Sequence, residues 1–110
     1  MIPVGVQVFV ASAPIDMRFS FDRLAGICQD QLGYDARSGA LFVFFGKRRD
    51  ALKVLFFDGS GMCVFYKRLD KGRFRVPEPA AEGDAHVEVD DATFDALLYG
   101  VERELTPHIH

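Results

Sequence analysis

Apolar residues are grouped along this chain in five short runs, near residues 5–10, 40–45, 51–57, 62–68 and 86–89. These runs are rich in β-branched and aromatic residues and are bounded by glycine, proline, serine or aspartate, which is typical of β-strands. The boundaries read from such patterns are good to about two to four residues. The pattern therefore predicts a sheet of about five strands.

Two other stretches repeat their apolar residues at helical spacing. The first follows Ser20, a favourable N-cap residue, and ends at Gly33, which suits a left-handed C-terminal position. The second follows the cap residue Asp90 and includes Phe94, Leu97 and Leu98. We therefore predict helices near 20–32 and 91–99.

The turn at residues 58–61 separates two of the apolar runs. Asp58-Gly59 between β-branched and aromatic residues is a strong hairpin signal, because the turn needs residues that tolerate a positive φ. With Gly59-Ser60 at the tip, Leu55 should face Val64, and Lys53 should face Tyr66 across the two strands. The hairpin from 51 to 68 is thus the most sharply predicted element of the chain.

Both faces of this hairpin carry apolar side chains, whereas a sheet with one solvated face would alternate apolar and polar residues. The sequence predicts only two helices, which are too few to cover both faces of the sheet well. We therefore predict an α+β fold with an antiparallel, strongly curved sheet, or a homodimer in which a second copy covers one face. The prediction is a single domain over residues 1–105 with a frayed tail at 106–110.

Charge is unevenly distributed along the chain. Residues 1–46 carry three basic and four acidic groups (net −1), residues 47–75 nine and three (net +6), and residues 76–110 one and nine (net −8). Strand pairing should bring residues before 52 alongside those after 66, so the cations around the hairpin should gather at one end. The candidate nucleic-acid-binding residues are Lys47, Arg48, Arg49, Lys67, Arg68, Lys71 and Arg73.

This basic cluster has two interpretations. Lysine and arginine interleaved with Phe45, Tyr66 and Phe74 suit phosphate binding with base or sugar stacking. The alternative is a rim of solvated charges that keeps an apolar sheet soluble, or one that docks the acidic C-terminal third of the same chain. No helix of the helix-turn-helix kind is visible in the sequence.

The remaining composition indicates a cytoplasmic protein with no membrane partner. No apolar run is long enough to span a bilayer, and the first residues lack the basic and apolar regions of a signal peptide. Cys28 and Cys63 each lie among apolar neighbours, which favours two reduced, buried thiols.

No pattern in the sequence points to catalysis, a metal or a cofactor. The aspartates occupy turn and cap positions at spacings that match no metal motif, and His86, His108 and His110 are too scattered for zinc. Neither cysteine has the electropositive surroundings of a nucleophile. Asp16 and Arg18, two residues apart in a loop, are interpreted either as a local ion pair or as a contact to a neighbouring strand.

Several motifs together carry a family likeness. They are Asp-Met-Arg at 16–18, Phe-Asp-Arg-Leu-Ala at 21–25, residues 38–44 and 46–55, Asp-Gly-Ser-Gly at 58–61, Lys-Arg-Leu at 67–69, Gly-Arg-Phe at 72–74 and Pro77. In order and spacing they resemble the small accessory protein TnpB, encoded by the second open reading frame of the insertion-sequence family numbered sixty-six. The RNA-guided nuclease that shares this name is a different and much longer protein. In the resemblance, Asp16, Arg18, Asp58 and Gly59 are motif residues.

The resemblance implies a non-catalytic protein that serves transposition beside a separate, larger transposase. From the basic cluster, the first hypothesis is that it binds DNA or the transposase–DNA complex. The second is a pure protein–protein adaptor, whose acidic tail and second helix bind the transposase with no direct DNA contact. Binding to random duplex DNA at several salt concentrations separates the two, since phosphate contacts make affinity salt-dependent.

Overall fold

A computed structural model describes residues 5–99 of the chain. Five strands and two helices follow one another, which confirms the α+β class and the number of elements. In chain order they are β1 (Val8–Ala11), α1 (Phe21–Ile27) with a π-helical turn (Cys28–Leu32), β2 (Leu41–Phe45), β3 (Ala51–Phe57), β4 (Met62–Arg68), β5 (His86–Val89) and α2 (Asp91–Tyr99).

The five strands form one sheet in the order β4-β3-β2-β1-β5. All pairs are antiparallel except β1 and β2, which run parallel with Phe9 opposite Phe42. The predicted purely antiparallel sheet is therefore wrong, and the sheet is mixed. The cause is the connection: the chain leaves β1, passes through α1 and returns to β2, and such a helical crossover joins parallel strands.

The prediction of a strongly curved sheet is also wrong. The sheet is open, with β4 and β5 at its edges, and it is not strongly curled. Its two faces are apolar because a helix packs on each of them. One face holds Phe9, Phe42 and Phe44 against α1 and the π-helical turn.

The opposite face of the sheet holds Val8, Val10 and Val43 against Phe94 and Leu97 of α2. Two short helices therefore cover the central strands, while β4 at the edge stays largely half-buried or exposed. The homodimer, which was inferred from the same two apolar faces, stays a prediction.

The β3–β4 hairpin has the predicted register. Phe57 lies opposite Met62, Leu55 opposite Val64 and Lys53 opposite Tyr66. The alternation of side chains along these strands then assigns each residue to a face. In β1 the pattern was less informative, since the strand begins at Val8 and not near residue 5.

The helix boundaries follow their predicted end residues. Ser20 precedes α1 in an extended conformation, and Gly33 ends the π-helical turn with a left-handed φ of 80°. At α2, the carboxylate of Asp90 accepts a hydrogen bond of 2.8 Å from the backbone N–H of Thr93, which is the geometry of an N-cap. The predicted frayed tail at 106–110 lies outside the described residues.

Candidate nucleic-acid interface

Three chain segments meet at the end of the sheet where β1 and β2 terminate. Because these strands are parallel, the loop 12–19 after β1 and the turn 46–50 after β2 emerge at the same edge. β4 ends there too, since Arg68 lies opposite Ala51, the first residue of β3. We call the turn 46–50 together with the segment 67–75 the basic end of the sheet.

Backbone hydrogen bonds tie these two segments to each other. The N–H of Leu69 donates to the carbonyl of Asp50 at 2.8 Å, and the N–H of Phe74 donates to the carbonyl of Arg49 at 2.7 Å. The ring of Phe74 is buried and packs on Phe45 with centroids 5.6 Å apart. The chain after β4 is therefore folded back along the turn that follows β2.

Most of the cations predicted to bind nucleic acid project from these segments into solvent. Within residues 5–99, their side chains form no hydrogen bond and no ion pair. These exposed residues are Lys47, Arg48, Arg49, Arg68, Lys71 and Arg73. Their role in binding nucleic acid stays a prediction.

The seventh candidate, Lys67, has a different environment. Its side chain is half-buried, and its Nζ donates a hydrogen bond to the carbonyl of Leu98 near the end of α2. The same Nζ lies 5.6 Å from the centroid of the Tyr99 ring. A cation beside the last carbonyls of a helix stabilises the helix dipole, so Lys67 joins α2 to the edge strand.

Arg49 adopts a backbone conformation that is uncommon for its residue type. Its φ is 61°, and no other non-glycine residue among those described has a positive φ. The left-handed region costs an L-residue roughly 1–2 kcal/mol because Cβ approaches the following carbonyl. The turn imposes it, since the N–H of Arg49 donates to the carbonyl of Gly46 while its own carbonyl accepts from Phe74.

The Asp16 and Arg18 side chains form a local ion pair, which is the first of the two predicted interpretations. The Nη2 of Arg18 lies 2.6 Å from one carboxylate oxygen of Asp16, and the Nε donates to the same carboxylate. The backbone N–H of Arg18 donates to it as well. Hydrogen bonding from the guanidinium, and secondarily from this N–H, lowers the pKa of Asp16 to about 2.

The loop that contains this ion pair lies against the basic end. The N–H of Ile15 donates to the carbonyl of Phe45 at 2.8 Å, which extends the parallel pairing by one bridge to Gly46. A Cβ on Gly46 would lie 3.0 Å from the Cγ of Met17. Glycine therefore allows the Asp16–Arg18 loop to approach the turn 46–50 closely.

Lys53 is a buried cation that the sequence interpretation did not single out. Only 8% of its surface is exposed, and its Nζ donates to the carbonyl of Phe19 at 2.7 Å and lies 5.0 Å from the centroid of the Tyr66 ring. It therefore anchors the loop 12–19 to the middle of β3. The available signal was a single charge inside the apolar run 51–57.

The motif residues Asp58 and Gly59 lie at the hairpin tip, at the opposite end of the sheet. The carboxylate of Asp58 accepts hydrogen bonds from the N–H and hydroxyl of Ser60 and from the N–H of Gly61, at 2.8, 2.9 and 3.0 Å. These bonds, with that from the Ser60 N–H the strongest, lower the pKa of Asp58. Gly59 has a φ of 99°.

The thiols and histidines form no reactive constellation among the described residues. Burial raises the pKa of Cys28 to about 12 and also raises that of Cys63, so both stay protonated at neutral pH. Residues 5–99 contain no group of three potential metal ligands and no helix that could cross a membrane. His108 and His110 lie outside the described residues.

An apolar groove separates α2 from the β3–β4 hairpin. It encloses about 410 Å³ and is lined by aromatic and aliphatic side chains from both elements, including Phe56, Phe65, Phe94 and Leu98. The ring of Phe65 is 39% exposed although it lies on a face that is otherwise covered. The two helices therefore leave an apolar surface open beside the hairpin.

Comparison with known proteins gives a consistent result. The family described as "IS66 Orf2 like protein" matches residues 6–107. Two proteins of Sinorhizobium fredii are similar to this chain: "Uncharacterized protein y4hO" is 42% identical over 93% of this chain and 88% of its own length. "Uncharacterized protein y4jC" is 34% identical over 89% and 81%, respectively. No solved structure matches the chain.

Proposed function

The chain belongs to the family of IS66 Orf2-like proteins, and from that premise we propose that it binds DNA through its basic end as a non-catalytic accessory factor of transposition. The family implies an insertion-sequence accessory protein. The proposed partners of the protein are the transposase of the same element and the DNA that this enzyme holds.

One observation carries the proposal: six exposed cations, which have no carboxylate partner within residues 5–99, project from two segments that backbone hydrogen bonds hold side by side. Cations of this kind bind phosphates collectively, because each neutralised phosphate releases condensed counterions. Within the basic end, Asp50 and Asp70 are the acidic residues, so the excess of positive charge is large.

A protein–protein adaptor with no DNA contact is the second candidate. The apolar groove beside α2 favours it, because exposed apolar surfaces of this kind mark interaction sites. In this alternative the transposase would bind along Phe65 and Leu98, and the basic end would only keep the protein soluble. A homodimer, predicted from the two apolar faces of the hairpin, would use part of this surface.

Reversal of charge at the basic end tests the proposal. The variant Arg48→Glu/Arg49→Glu/Arg68→Glu should lose transposition and bind duplex DNA more weakly. The slope of log K against log salt should become shallower by about 3, since each lost phosphate contact removes about 0.9. The melting temperature should change little, because exposed substitutions usually cost less than about 0.5 kcal/mol.

A matched pair of single variants controls for the change in net charge. Arg48→Glu and Arg37→Glu alter the charge equally and both positions are exposed, but Arg37 lies in a turn outside the basic end. We expect weaker DNA binding from the first and none of that loss from the second. Normal transposition by the triple variant, or activity lost in step with stability, would contradict the proposal. Retained transposase binding without any DNA affinity would establish the adaptor.

A further inference from the structure

A small polar cavity lies between the loops that follow the parallel strands. Its volume is about 110 Å³, and its walls come mainly from Ser12, Ala13, Pro14, Gly46, Lys47 and Arg49. The carboxyl ends of parallel strands are where open α/β sheets commonly bind ligands, because loops diverge there and leave a crevice. The position of this cavity therefore follows from the one parallel pair in the sheet.

The hydroxyl of Ser12 lacks a partner in this arrangement. Its Oγ is buried, and it makes no hydrogen bond to any group within residues 5–99. The backbone of the residue is fixed, because its N–H donates to the carbonyl of Ala85 at 2.9 Å. Buried hydroxyls are nearly always hydrogen-bonded in native proteins, so the Ser12 hydroxyl has an unused donor, although Ser12 also borders a larger pocket that contains Asp16 and Asp84.

The charge of the cavity wall specifies what kind of acceptor fits. Lys47 and Arg49 both line it, and none of its lining residues carries a carboxylate. The left-handed backbone of Arg49 belongs to the same wall. Unfavourable backbone conformations in non-glycine residues concentrate where a side chain must be held in a functional position. A hydroxyl donor and two cations around a small cavity suit a single tetrahedral anion.

We propose that this cavity binds one phosphate group, with Lys47 and Arg49 supplying the charge and the Ser12 hydroxyl donating a hydrogen bond once its side chain rotates toward the cavity. The inference rests on the proposed function in one respect, because DNA is the expected source of that phosphate. An internal phosphodiester and a terminal phosphate monoester both present anionic oxygens to such a site. Binding would fix the register of the DNA on the basic end, while the surrounding cations add sequence-independent affinity.

The full-length protein and inorganic phosphate provide a test that is independent of DNA. Titration followed by NMR should shift the amide signals of Ser12, Gly46 and Arg49. Replacement of Lys47→Gln or Arg49→Gly should weaken phosphate binding by about tenfold, as expected for a charge-assisted hydrogen bond. Ser12→Ala should weaken it by about threefold, since a neutral hydroxyl contributes less. Arg37→Gln, outside the cavity, is the control.

Oligonucleotides with and without a 5′-phosphate then identify the source of the phosphate. Tighter binding of the phosphorylated end, lost in Arg49→Gly, would identify a terminal monoester. Equal affinity for both, reduced in Arg49→Gly, would identify an internal phosphodiester. The melting temperature of each variant is measured first, and only variants that keep the wild-type value are compared. Lys47 is exposed, so Lys47→Gln should preserve the fold even if Ser12→Ala does not.

The outcomes separate this inference from the proposed function. DNA binding that persists without any phosphate-induced shift around Ser12 would overturn the cavity and leave the function standing. Shifts at the cavity with no DNA affinity would support the cavity and overturn the function. Phosphate binding that falls equally in Arg48→Gln and Arg49→Gly would also overturn the cavity, since Arg48 lies in the same turn but does not line it.

Discussion

The two ends of the β3–β4 hairpin lie at opposite ends of the sheet and use their polar groups differently. At the tip, Asp58 accepts three hydrogen bonds from residues within three positions of it. At the basic end, the turn 46–50 is held by backbone bonds from Leu69 and Phe74, which lie much later in the chain, while its cations have no partner among the described residues. The polar groups of the tip therefore hydrogen-bond to one another, whereas the charged groups of the basic end are exposed.

The same contrast appears in the left-handed positions of the two turns. At the tip this position is Gly59, with a φ of 99°, and a Cβ there would meet nothing within 4 Å. At the basic end it is Arg49, with a φ of 61°. Glycine is the residue that a turn alone requires. An arginine in the corresponding conformation carries a strain that glycine would avoid, and the proposed phosphate contact would compensate for it.

The largest effect is expected at Lys53, whose buried side chain anchors the loop 12–19 beside the basic end. Lys53→Ala removes about three buried methylenes at about 0.8 kcal/mol each, so the free energy of unfolding should fall by about 2–3 kcal/mol. Lys53→Met keeps most of the stem and removes the buried charge, so it should cost less than about 1 kcal/mol. Urea unfolding measures both.

Hydrogen exchange reports on the contact that the ammonium group of Lys53 makes. In both variants the amides of the loop 12–19 should exchange faster, because the carbonyl of Phe19 loses its contact with Nζ. The amides around Asp58 at the tip should be unaffected. Equal destabilisation by Lys53→Ala and Lys53→Met would show that the ammonium group, and not its stem, stabilises this end.

Local signals explain the elements that were predicted correctly from sequence. The hairpin register follows from Asp58-Gly59, and the start of α2 from Asp90, because each is determined by residues a few positions apart. The parallel pairing of β1 and β2 was missed because it depends on the path of a connection of about thirty residues. The helix inside that connection was predicted, and a strand-helix-strand order is itself a sign of parallel pairing.

The sequence also predicted only part of the candidate site, namely the part that depends on local pairing. The hairpin alone implies that residues before 52 and after 66 are neighbours, which is how the basic cluster was recognised. The involvement of Ser12 depends on the parallel strand pair, and the conformation of Arg49 depends on its bond from Phe74. Neither leaves a local pattern, so both required the structure.

Substitution of the two residues with a left-handed backbone, Gly59 and Arg49, should give the next largest effect on stability. Gly59→Ala should destabilise the protein by about 1–2 kcal/mol, because the backbone strain appears without any compensating contact. Arg49→Gly relieves that strain but adds entropy to the unfolded chain, so stability should rise by up to about 1 kcal/mol. Thermal or urea unfolding of the two variants, each against wild type, measures the difference.

The functional consequence of Arg49→Gly completes this test. Stability that rises while phosphate affinity falls would show that Arg49 lowers the stability of the protein and increases its affinity for phosphate, as residues of functional sites often do. Arg49→Ala, which keeps the strain and lacks the guanidinium, is the matched control and should lose affinity without gaining stability. A loss of more than about 1 kcal/mol in Arg49→Gly would show instead that the arginine side chain supports the turn.

The smallest effect concerns the dependence of stability on acid pH, which should differ between the hairpin tip and the loop 12–19 beside the basic end. Asp16 and Asp58 both have a pKa lowered by folding, so the unfolded state binds more protons. Their stabilisation is present above the unfolded value of about 3.9 and is lost as the pH falls toward the folded values. Asp16→Asn and Asp58→Asn should each flatten the dependence of the unfolding midpoint on pH between 4 and 2.

Salt separates the two carboxylates by the cause of their shifts. The Asp16 pKa is lowered mainly by the Arg18 guanidinium, whose side chain is 89% exposed, whereas neutral backbone and hydroxyl donors lower that of Asp58. At 1 M salt the screening length is about 3 Å, so the effect of Asp16→Asn should shrink while that of Asp58→Asn persists. Urea unfolding at pH 5 and pH 3, with and without salt, measures this. If both effects shrank together, the pKa of Asp58 at the tip would depend on charge, as that of Asp16 does. The contrast between a turn held by neutral donors and a loop held by an ion pair would then be wrong.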